Sequence, residues 1–510
     1  MFRAKHLVPL VISVSLLAAC GGGDGNGGSS PPQMPSRGQL VNNPPTKLGS
    51  FPVSDLVSRL SVGTMGQALL QLLSPTCSVD TYHLEYGTVG ARGEAATASA
   101  ALMVPTGSDP KCQGPRPIVL YAHGKRTLKA FNIADLTDQS NEEGLALAVA
   151  GTARGYIVVA PNYAGYDTSS LDYHPYLNAD QQSKDMMDAL TAAHSALSAL
   201  STADNHKLFV TGYSEGGYVA MATHRALQTA AIAVTASAPM SGPYALSAFA
   251  DAIFMGQVDD GATVNFIMVT SSYQHAYGNL YSTPTDIFEP KYASAIDALS
   301  TTDANTLIAQ GRLPSSALFN STPPAPEFAS MTPATTPAQL AAVFAKGFGT
   351  DDLVTNAYRL NYLRDAQAAP DGGFPNKTTG VPPANPTNTL RQDLQTNDLR
   401  NWSPTAPVLL CGGNADPSVF YLNTRLMQDF WAMNAPSSQL TVLDVDSPAS
   451  SGDPYANLKN EFVAAKAAIA AAAVAGGATD GGAAAVLQVY HAGLVPPFCI
   501  VAVTSFFDNH

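Results

Sequence analysis

The stretch LFVTGYSEGGYVAM, from Leu208 to Met221, decides the fold. An apolar run typical of a strand stops at Gly-Tyr-Ser-Glu-Gly-Gly, and a run typical of a helix follows it. The pattern Gly-x-Ser-x-Gly around Ser214 arises often by chance in a chain of this length, so the five letters alone carry little weight. If the turn is real, its glycines permit a tight bend that exposes the Ser214 hydroxyl as a nucleophile. The rest of the chain must then supply a base, an acid and an oxyanion hole.

The segments around this stretch alternate between two patterns, one typical of strands and one typical of helices. The strand-like runs are 79–89, 96–105, 117–124, 156–165 and 206–214, and the helix-like runs are 141–155, 179–200 and 215–228. Such an alternation predicts right-handed crossovers, and hence an α/β fold with a mainly parallel central sheet flanked by helices. Ser214 would then lie at the carboxyl end of a parallel strand, where the active sites of open α/β sheets gather.

The candidate base is His491. Only three histidines follow Ser214, namely His275, His491 and His510. His510 is the last residue of the chain, and His275 precedes any strand that could carry an acid. His491 comes just after an apolar run, where a loop can return over the sheet, although a histidine packed in a loop would fit the same pattern.

The candidate acid is Asp416. It follows the buried strand pattern and Gly-Gly turn of APVLLCGGNADPSV, which runs from Ala406 to Val419. A carboxylate there can accept the imidazole Nδ1–H, which fixes the tautomer and stabilises the imidazolium. Asp446, in LTVLDVDSP, also lies at the end of a strand-like run and is the alternative.

The oxyanion hole requires two backbone N–H groups. One is expected from Glu215, directly after the nucleophile and at the positive end of a helix. The other is expected from Lys125, after the strand that ends in YAHGKRT. The side chains of both residues have simpler explanations, a surface charge for Lys125 and a favourable first-turn residue for Glu215. Chemistry of this kind needs no metal and no organic cofactor, and the absence of a C-x-x-C pair speaks against a zinc site.

The N-terminus predicts export. Residues 1–19 combine a short basic start with an apolar core too short to remain as a membrane span, which is typical of a signal peptide. Leu-Ala-Ala-Cys looks like a bacterial lipobox that ends in Cys20, and in lipoproteins of that kind the equivalent thiol carries the lipid. An ordinary signal peptide with a chance cysteine is the alternative. A Gly/Ser/Pro-rich tether is expected over 20–45, and Gly21 favours the outer membrane, on its periplasmic side or at the cell surface.

Composition and cysteine content agree with an exported globular protein. The net charge of -13 at pH 7 argues against binding to nucleic acid, which requires a basic face. Apart from Cys20, four cysteines remain, and an even number in an oxidising compartment suggests disulfides. Four cysteines allow three pairings, of which proximity in the sequence favours Cys77 with Cys112 and Cys411 with Cys499.

These motifs together resemble the α/β-hydrolase superfamily, and within it bacterial lipase and esterase lipoproteins akin to the secretory lipase (fungal lipase A) family. The likeness runs from about residue 77 to the end, through YAHG, APNYAGYD, HPYL, GYSEGGY, LLCGGNADP and YHAGLVPPF. It implies Ser214, Asp416 and His491 as the catalytic triad. HGKRT departs from the more usual turn, and an Ala-rich insertion separates the strand QLTVLDVD from His491.

The resemblance also implies a lid. The expected core consists of 46–245 and 403–510, and the interval 246–402 is expected to form an inserted cap, since a structureless loop of that length is improbable. Apolar stretches of this interval, such as 264–269 and 316–321, could form the core of the cap or line a substrate pocket.

Three functions fit these features. A serine esterase or lipase would cleave carboxylic esters, such as fatty-acyl esters, aryl esters or polyester fragments, through an acyl-enzyme. A serine peptidase of the prolyl-oligopeptidase type shares the fold and the triad. A surface protein that binds without catalysis could keep the same fold, although a triad in the correct order argues against it.

Overall fold

The computed structural model describes residues 34–298, 302–371, 381–434 and 439–510. The strands within them are β1 (Thr46–Phe51), β2 (Ser78–Val89), β3 (Ala95–Thr106), β4 (Arg116–Ala122), β5 (Ile157–Pro161), β6 (Asp204–Tyr213), β7 (Ala236–Met240), β8 (Phe319–Asn320), β9 (Phe348–Gly349), β10 (Val408–Gly412) and β11 (Leu440–Asp444). Nine of these strands form one sheet in the order β1-β2-β3-β5-β4-β6-β7-β10-β11, and β8 pairs with β9. From β5 to β11 in this order the neighbours are parallel, so the predicted mainly parallel sheet is confirmed.

Helices cover both faces of this sheet. Those described are α1 (Val53–Leu60), α2 (Thr64–Leu72), α3 (Glu142–Ala150), α4 (Ala179–Ala199), α5 (Glu215–Thr229), α6 (Leu246–Phe254), α7 (Ala262–Tyr277), α8 (Ala293–Asp297), α9 (Ala304–Ala309), α10 (Ala341–Lys346), α11 (Asn356–Ala368), α12 (Thr389–Asn397), α13 (Leu422–Asn434), α14 (Ala456–Ala475), α15 (Ala483–Val489) and α16 (Val495–Asp508). Helices α4 and α5 pack on one face, whereas α1, α2, α3 and α16 pack on the other.

The central strands show why their sequences are apolar throughout. In β4, Ile118 and Leu120 point into the core beneath α4 and α5, whereas Val119 and Tyr121 point into the core beneath α3 and α16. Successive side chains of a strand point to opposite faces, so a strand covered on both sides must be apolar at every position. Each fully buried side chain of this size contributes about 1.5–3 kcal/mol to stability.

The folded body includes residues that the sequence assigned to the tether. The predicted signal peptide, Cys20 and the first part of the predicted tether lie outside the described residues, while Met34–His510 forms one compact unit. The segment 34–45 was expected to continue the tether, and the structure corrects this. Gly38 N–H donates to Gly87 O (2.8 Å) and Val41 N–H to Glu85 O (2.8 Å). These bonds along β2 satisfy backbone groups that a free tether would leave to water.

Two disulfides join distant segments, Cys77 to Cys112 and Cys411 to Cys499. They match the pairing that proximity in the sequence favours. The second bond joins β10 to α16.

By length and composition the run Ala483–Asp508 could cross a membrane. In the structure, however, Phe498, Val503 and Phe507 are buried against the sheet, so this run serves as a core helix.

A long insertion separates β7 from β10. Its described residues carry α6 to α12 and the β8–β9 pair. Two buried arginines hold it together. Arg391 pairs with Asp251 (2.9 Å) and Asp365 (2.6 Å), and Arg400 with two further aspartates. Buried charges of this kind are tolerated only when they are paired.

Candidate active site

Ser214 occupies the sharp turn between β6 and α5. Its backbone lies in the left-handed region, with φ 61° and ψ −122°, a conformation that costs about 1–3 kcal/mol for a residue other than glycine. A Cβ at Gly212 would lie 2.4 Å from Ala122 O, and one at Gly216 would lie 1.9 Å from the same atom. The two glycines of the motif are therefore required by the close approach of β4, and the turn exposes the Ser214 hydroxyl above the helix.

A continuous chain of hydrogen bonds joins the three residues predicted as the triad. His491 Nε2 lies 2.8 Å from Ser214 Oγ, and His491 Nδ1 lies 2.7 Å from Asp416 Oδ2. The other oxygen of Asp416 accepts the N–H groups of Ser418 (2.9 Å) and Val419 (3.0 Å). These bonds stabilise an ionised carboxylate, which can only accept from His491 Nδ1–H and leaves Nε2 free to take the serine proton.

Different elements supply the three side chains. Ser214 follows β6, Asp416 follows β10, and His491 lies in a π-helical turn, Tyr490–Leu494, between α15 and α16. The first two positions are carboxyl ends of neighbouring regions of the parallel sheet, as predicted. The other histidines considered lie elsewhere. His275 stacks on Tyr173 at 4.1 Å, and His510 caps the end of α16 through Phe506 O.

Asp446, the alternative acid, does not contact His491. It accepts from Tyr490 Oη (2.7 Å) and pairs with Lys466 (2.7 Å), which lies on the Ala-rich helix α14. Tyr490 Oη also accepts the N–H of Ala415 (3.2 Å), the residue before Asp416. Burial, reinforced by Asp446, raises the pKa of Tyr490, so its hydroxyl remains a donor. Asp446 therefore braces the acid loop through Tyr490, a role that only the proximity of Tyr490 to His491 in the sequence could have suggested.

The two expected oxyanion donors are free of backbone partners. Gly124 N–H is already used, because it donates to Glu143 Oε1 at 2.9 Å. Within the described part of the chain no hydrogen bond uses the N–H of Lys125, and Glu215, as the first residue of α5, has no intrahelical partner for its own. Both residues line a cavity with Ser214. Two unbonded N–H groups beside a serine can hold a developing oxyanion.

The side chains of these two residues are not surface groups. Lys125 Nζ donates to Asn265 Oδ1 (2.6 Å) on α7, and Asn265 Nδ2 donates to Asp259 Oδ2 (2.8 Å). Burial lowers the pKa of Lys125 and raises the pKa of Asp259 to about 7. Glu215 is buried and accepts from Gln182 Nε2 (2.7 Å), with His174 Nε2 also at 2.7 Å. Sequence reasoning missed Asn265 and Asp259, because their contact with Lys125 depends on tertiary packing.

Two cavities meet at the serine. The larger has a volume of about 760 Å³ and the smaller about 160 Å³. The smaller cavity is lined by apolar side chains of the insertion, among them Phe249, Phe254, Phe266, Leu318 and Leu390. Ser214 and His491 line both cavities. A substrate that enters either cavity therefore reaches the nucleophile and the base together.

Comparison with known proteins supports the same fold. Residues 145–311 match the model of the prolyl oligopeptidase family. The rice cell wall degrading esterase LipA from Xanthomonas oryzae is 25% identical and aligns over 84% of this chain and 96% of its own, with a TM-score of 0.62. A protein of Legionella pneumophila classed as a hydrolase is 22% identical over 80% of this chain and 91% of its own (TM-score 0.59). No curated protein sequence matches. The predicted α/β-hydrolase fold is confirmed.

Proposed function

We propose that this α/β-hydrolase is a serine hydrolase that cleaves carboxylic esters, with Ser214 as nucleophile, His491 as base and Asp416 as the acid that orients the base. The observation that carries the proposal is the continuous hydrogen-bond chain from Ser214 Oγ through His491 to Asp416, at the point where two cavities meet. The similarity to an esterase over most of both chains supports it.

The geometry accounts for each step of such a reaction. His491 Nε2 takes the Ser214 proton as the oxygen attacks the ester carbonyl, and Asp416 stabilises the imidazolium that forms. The N–H groups of Glu215 and Lys125 hold the oxygen of the tetrahedral intermediate. His491 then gives its proton to the leaving alcohol. A water molecule, activated by the same imidazole, releases the acid from the acyl-enzyme.

The insertion is proposed to act as a cap over this site. Its Asp260 N–H donates to Pro417 O (2.9 Å) beside the acid, and its Asn265 accepts from Lys125 on the oxyanion loop. The cap is thereby attached to two sides of the triad, and its apolar residues enclose the smaller cavity. An enclosed apolar site favours esters with a hydrophobic part over small hydrophilic ones.

The test is a panel of p-nitrophenyl esters from acetate to palmitate, together with dispersed polyester and a fluorophosphonate probe. We expect hydrolysis of several esters and labelling of Ser214, both abolished in Ser214→Ala. A folded wild-type protein that neither hydrolyses any ester nor reacts with the probe would instead be a surface binding protein.

A serine peptidase is the second candidate, because the prolyl oligopeptidase family model matches residues 145–311. Asp259 and Asp260 line the smaller cavity beside Ser214, where a carboxylate could bind the amino terminus of a peptide. Aminoacyl and dipeptidyl anilides should be assayed beside the esters. Anilide turnover that exceeds ester turnover, and that falls in Asp260→Asn, would favour the peptidase.

We propose further that the protein is exported and anchored to the outer membrane through a lipid on Cys20. The two disulfides of the folded body support an oxidising compartment. Metabolic labelling with an alkyne fatty acid should mark the wild-type protein and not Cys20→Ala. A protein that is exported without label would carry an ordinary signal peptide.

A further inference from the structure

The larger cavity does not end beneath the insertion. It continues from Ser214 into the body of the protein, between the sheet and helices α3 and α16. We call this part the inner channel; its walls are Val119, Leu147, Ala150, Tyr156, Val503 and Phe507. All six belong to the core on the face of the sheet opposite to the core that the insertion joins. The cap therefore has no part in its walls.

The walls of the inner channel present carbon to its interior. Every hydroxyl along it donates to a protein acceptor: Tyr121 to Glu143, Tyr156 to Asp508, Thr211 to Ala238 O, Tyr213 to His491 O, and Thr504 to Val501 O. A hydroxyl that already donates within the protein offers little to a polar ligand. The surface left for a ligand is therefore mainly apolar.

The inner channel is an unfilled space inside the core of the protein. Protein cores are normally packed with few voids larger than a water molecule. Here Leu147, Ala150 and Tyr156 keep 6–7% of their surface exposed, although they lie between a helix and a sheet, whereas their neighbours Ala148 and Val149 keep none. A void of this kind, open to the catalytic serine, is explained by a substrate group that fills it.

We propose that the inner channel binds the acyl chain of a long-chain ester, and this inference rests on the proposed esterase activity. The acyl group must stay bound through both acylation and hydrolysis, and the walls of the inner channel belong to the sheet and its flanking helices rather than to the insertion. The alcohol must leave between the two steps. It can do so at the outer end of the same cavity, where Thr127 of the oxyanion loop faces Asn305 and Ile308 of the insertion.

The test narrows or widens the inner channel at positions away from the triad. Ala150→Leu and Thr504→Leu each add side-chain volume to the walls, while Leu147→Ala removes it. For the narrowed variants we expect the ratio of kcat/KM for p-nitrophenyl palmitate to that for p-nitrophenyl butyrate to fall about tenfold, since a pocket distinguishes chains by roughly this factor. The butyrate rate should stay near the wild-type rate. Leu147→Ala should raise the ratio.

The matched control is Ala250→Leu, which adds the same volume to the smaller cavity. It should leave the acyl ratio near the wild-type value, because the smaller cavity is not part of the inner channel. If Ala250→Leu lowers the acyl ratio and the inner-channel variants do not, the acyl chain binds under the cap and the proposal is wrong. Thermal unfolding identifies any variant that does not fold, and the three inner-channel variants are independent of one another.

Binding without turnover separates this inference from the proposed function. Ser214→Ala cannot form an acyl-enzyme, yet it should bind palmitate in calorimetry, and Ala150→Leu in the same background should weaken that binding about tenfold. Absence of palmitate binding to Ser214→Ala would contradict the inner channel even in an active esterase. Palmitate binding by a wild-type protein without ester activity would contradict the proposed reaction. It would still support the inner channel as a binding site.

Discussion

Ser214 is held in its strained backbone conformation by contacts on both sides of the turn, and His491 is held by bonds at both ring nitrogens. Because the three residues act as a unit, Ser214→Ala and His491→Ala should each lower kcat by about 10³-fold or more with the fold intact. Asp416→Asn should be similarly severe, because an amide cannot hold the imidazole in the required tautomer. Circular dichroism provides the check on folding, and steady-state ester hydrolysis gives the rates.

Asp446→Asn is the matched control for Asp416→Asn. It replaces an aspartate that contacts Tyr490 and Lys466 but not His491, so kcat should fall by less than about tenfold. A larger loss in Asp446→Asn than in Asp416→Asn would reverse the assignment of the acid.

Asp259 should make stability fall as the pH rises. Burial raises its pKa to about 7 in the folded protein, against an ordinary value near 3.8. Between these pH values the folded state therefore binds a proton that the unfolded state has released. The stabilisation that protonated Asp259 provides is full below about pH 4 and is lost by about pH 7. Lys125, Asp260 and Asn265 surround the carboxyl group. Asp259→Asn should remove a decrease on the order of 2 kcal/mol between pH 5 and pH 8, measured by urea unfolding at each pH. If the free energy of unfolding depends on pH equally in the wild type and in Asp259→Asn, Asp259 ionises normally.

The candidate triad could be predicted at the residue scale because each member follows a local pattern. Ser214 and Asp416 end apolar strand-like runs, and the order along the chain leaves His491 as the base. The contacts that support them could not be predicted in this way. Lys125 and Asn265 are 140 residues apart, and no local pattern marks either as the partner of the other.

At the scale of elements, the disulfide between β10 and α16 connects the strand before Asp416 to the helix after His491. The double change Cys411→Ser and Cys499→Ser should lower the free energy of unfolding by about 2–5 kcal/mol. It should also lower kcat, because the distance between acid and base is no longer fixed by a covalent bond.

The matched control is Cys77→Ser with Cys112→Ser, which removes a bond between segments that precede β2 and β4 and that carry no triad residue. It should lower the free energy of unfolding by a similar amount, and the folded variant should keep the wild-type kcat. Chemical denaturation followed by fluorescence gives the stabilities, and ester hydrolysis below the unfolding range gives kcat. Equal losses of kcat in both double variants would mean that the bond at β10 has no special relation to the site.

The elements themselves were predictable to different degrees. Strands β4, β5 and β6 are apolar at every position, because both faces are buried, and this pattern is visible in the sequence. Strand β1, with the sequence TKLGSF, was missed. It is an edge strand with mostly exposed residues, and only its pairing with β2 makes it a strand.

On the scale of the whole molecule, Met34–His510 forms one unit that contains the complete candidate site. A protein that begins at Met34, secreted by means of an unrelated cleavable signal peptide, should keep the wild-type Tm and ester kcat. It should no longer fractionate with membranes. A fall in Tm of more than about 4 °C would indicate that residues before Met34 stabilise the body.

The proposed inner channel depends on how distant elements pack, whereas the sequence offered only apolar stretches of the insertion as a possible lining of the substrate pocket. Its walls come from β4 and α3, which are close in the sequence, and from α16, which follows them by more than 300 residues. The void depends on how these elements pack, and binary patterns predict which residues are buried without predicting where burial is incomplete.

We expect the protein to become fully active only after the bond between Cys411 and Cys499 has formed. Thiols stay reduced in the cytoplasm, so a newly made chain would lack this bond until it reaches an oxidising compartment. An esterase that accepts long acyl chains is a hazard to the phospholipids of the cell that makes it. We expect the reduced chain to be a poor catalyst, so that the proposed export would protect the producing cell until the bond has formed.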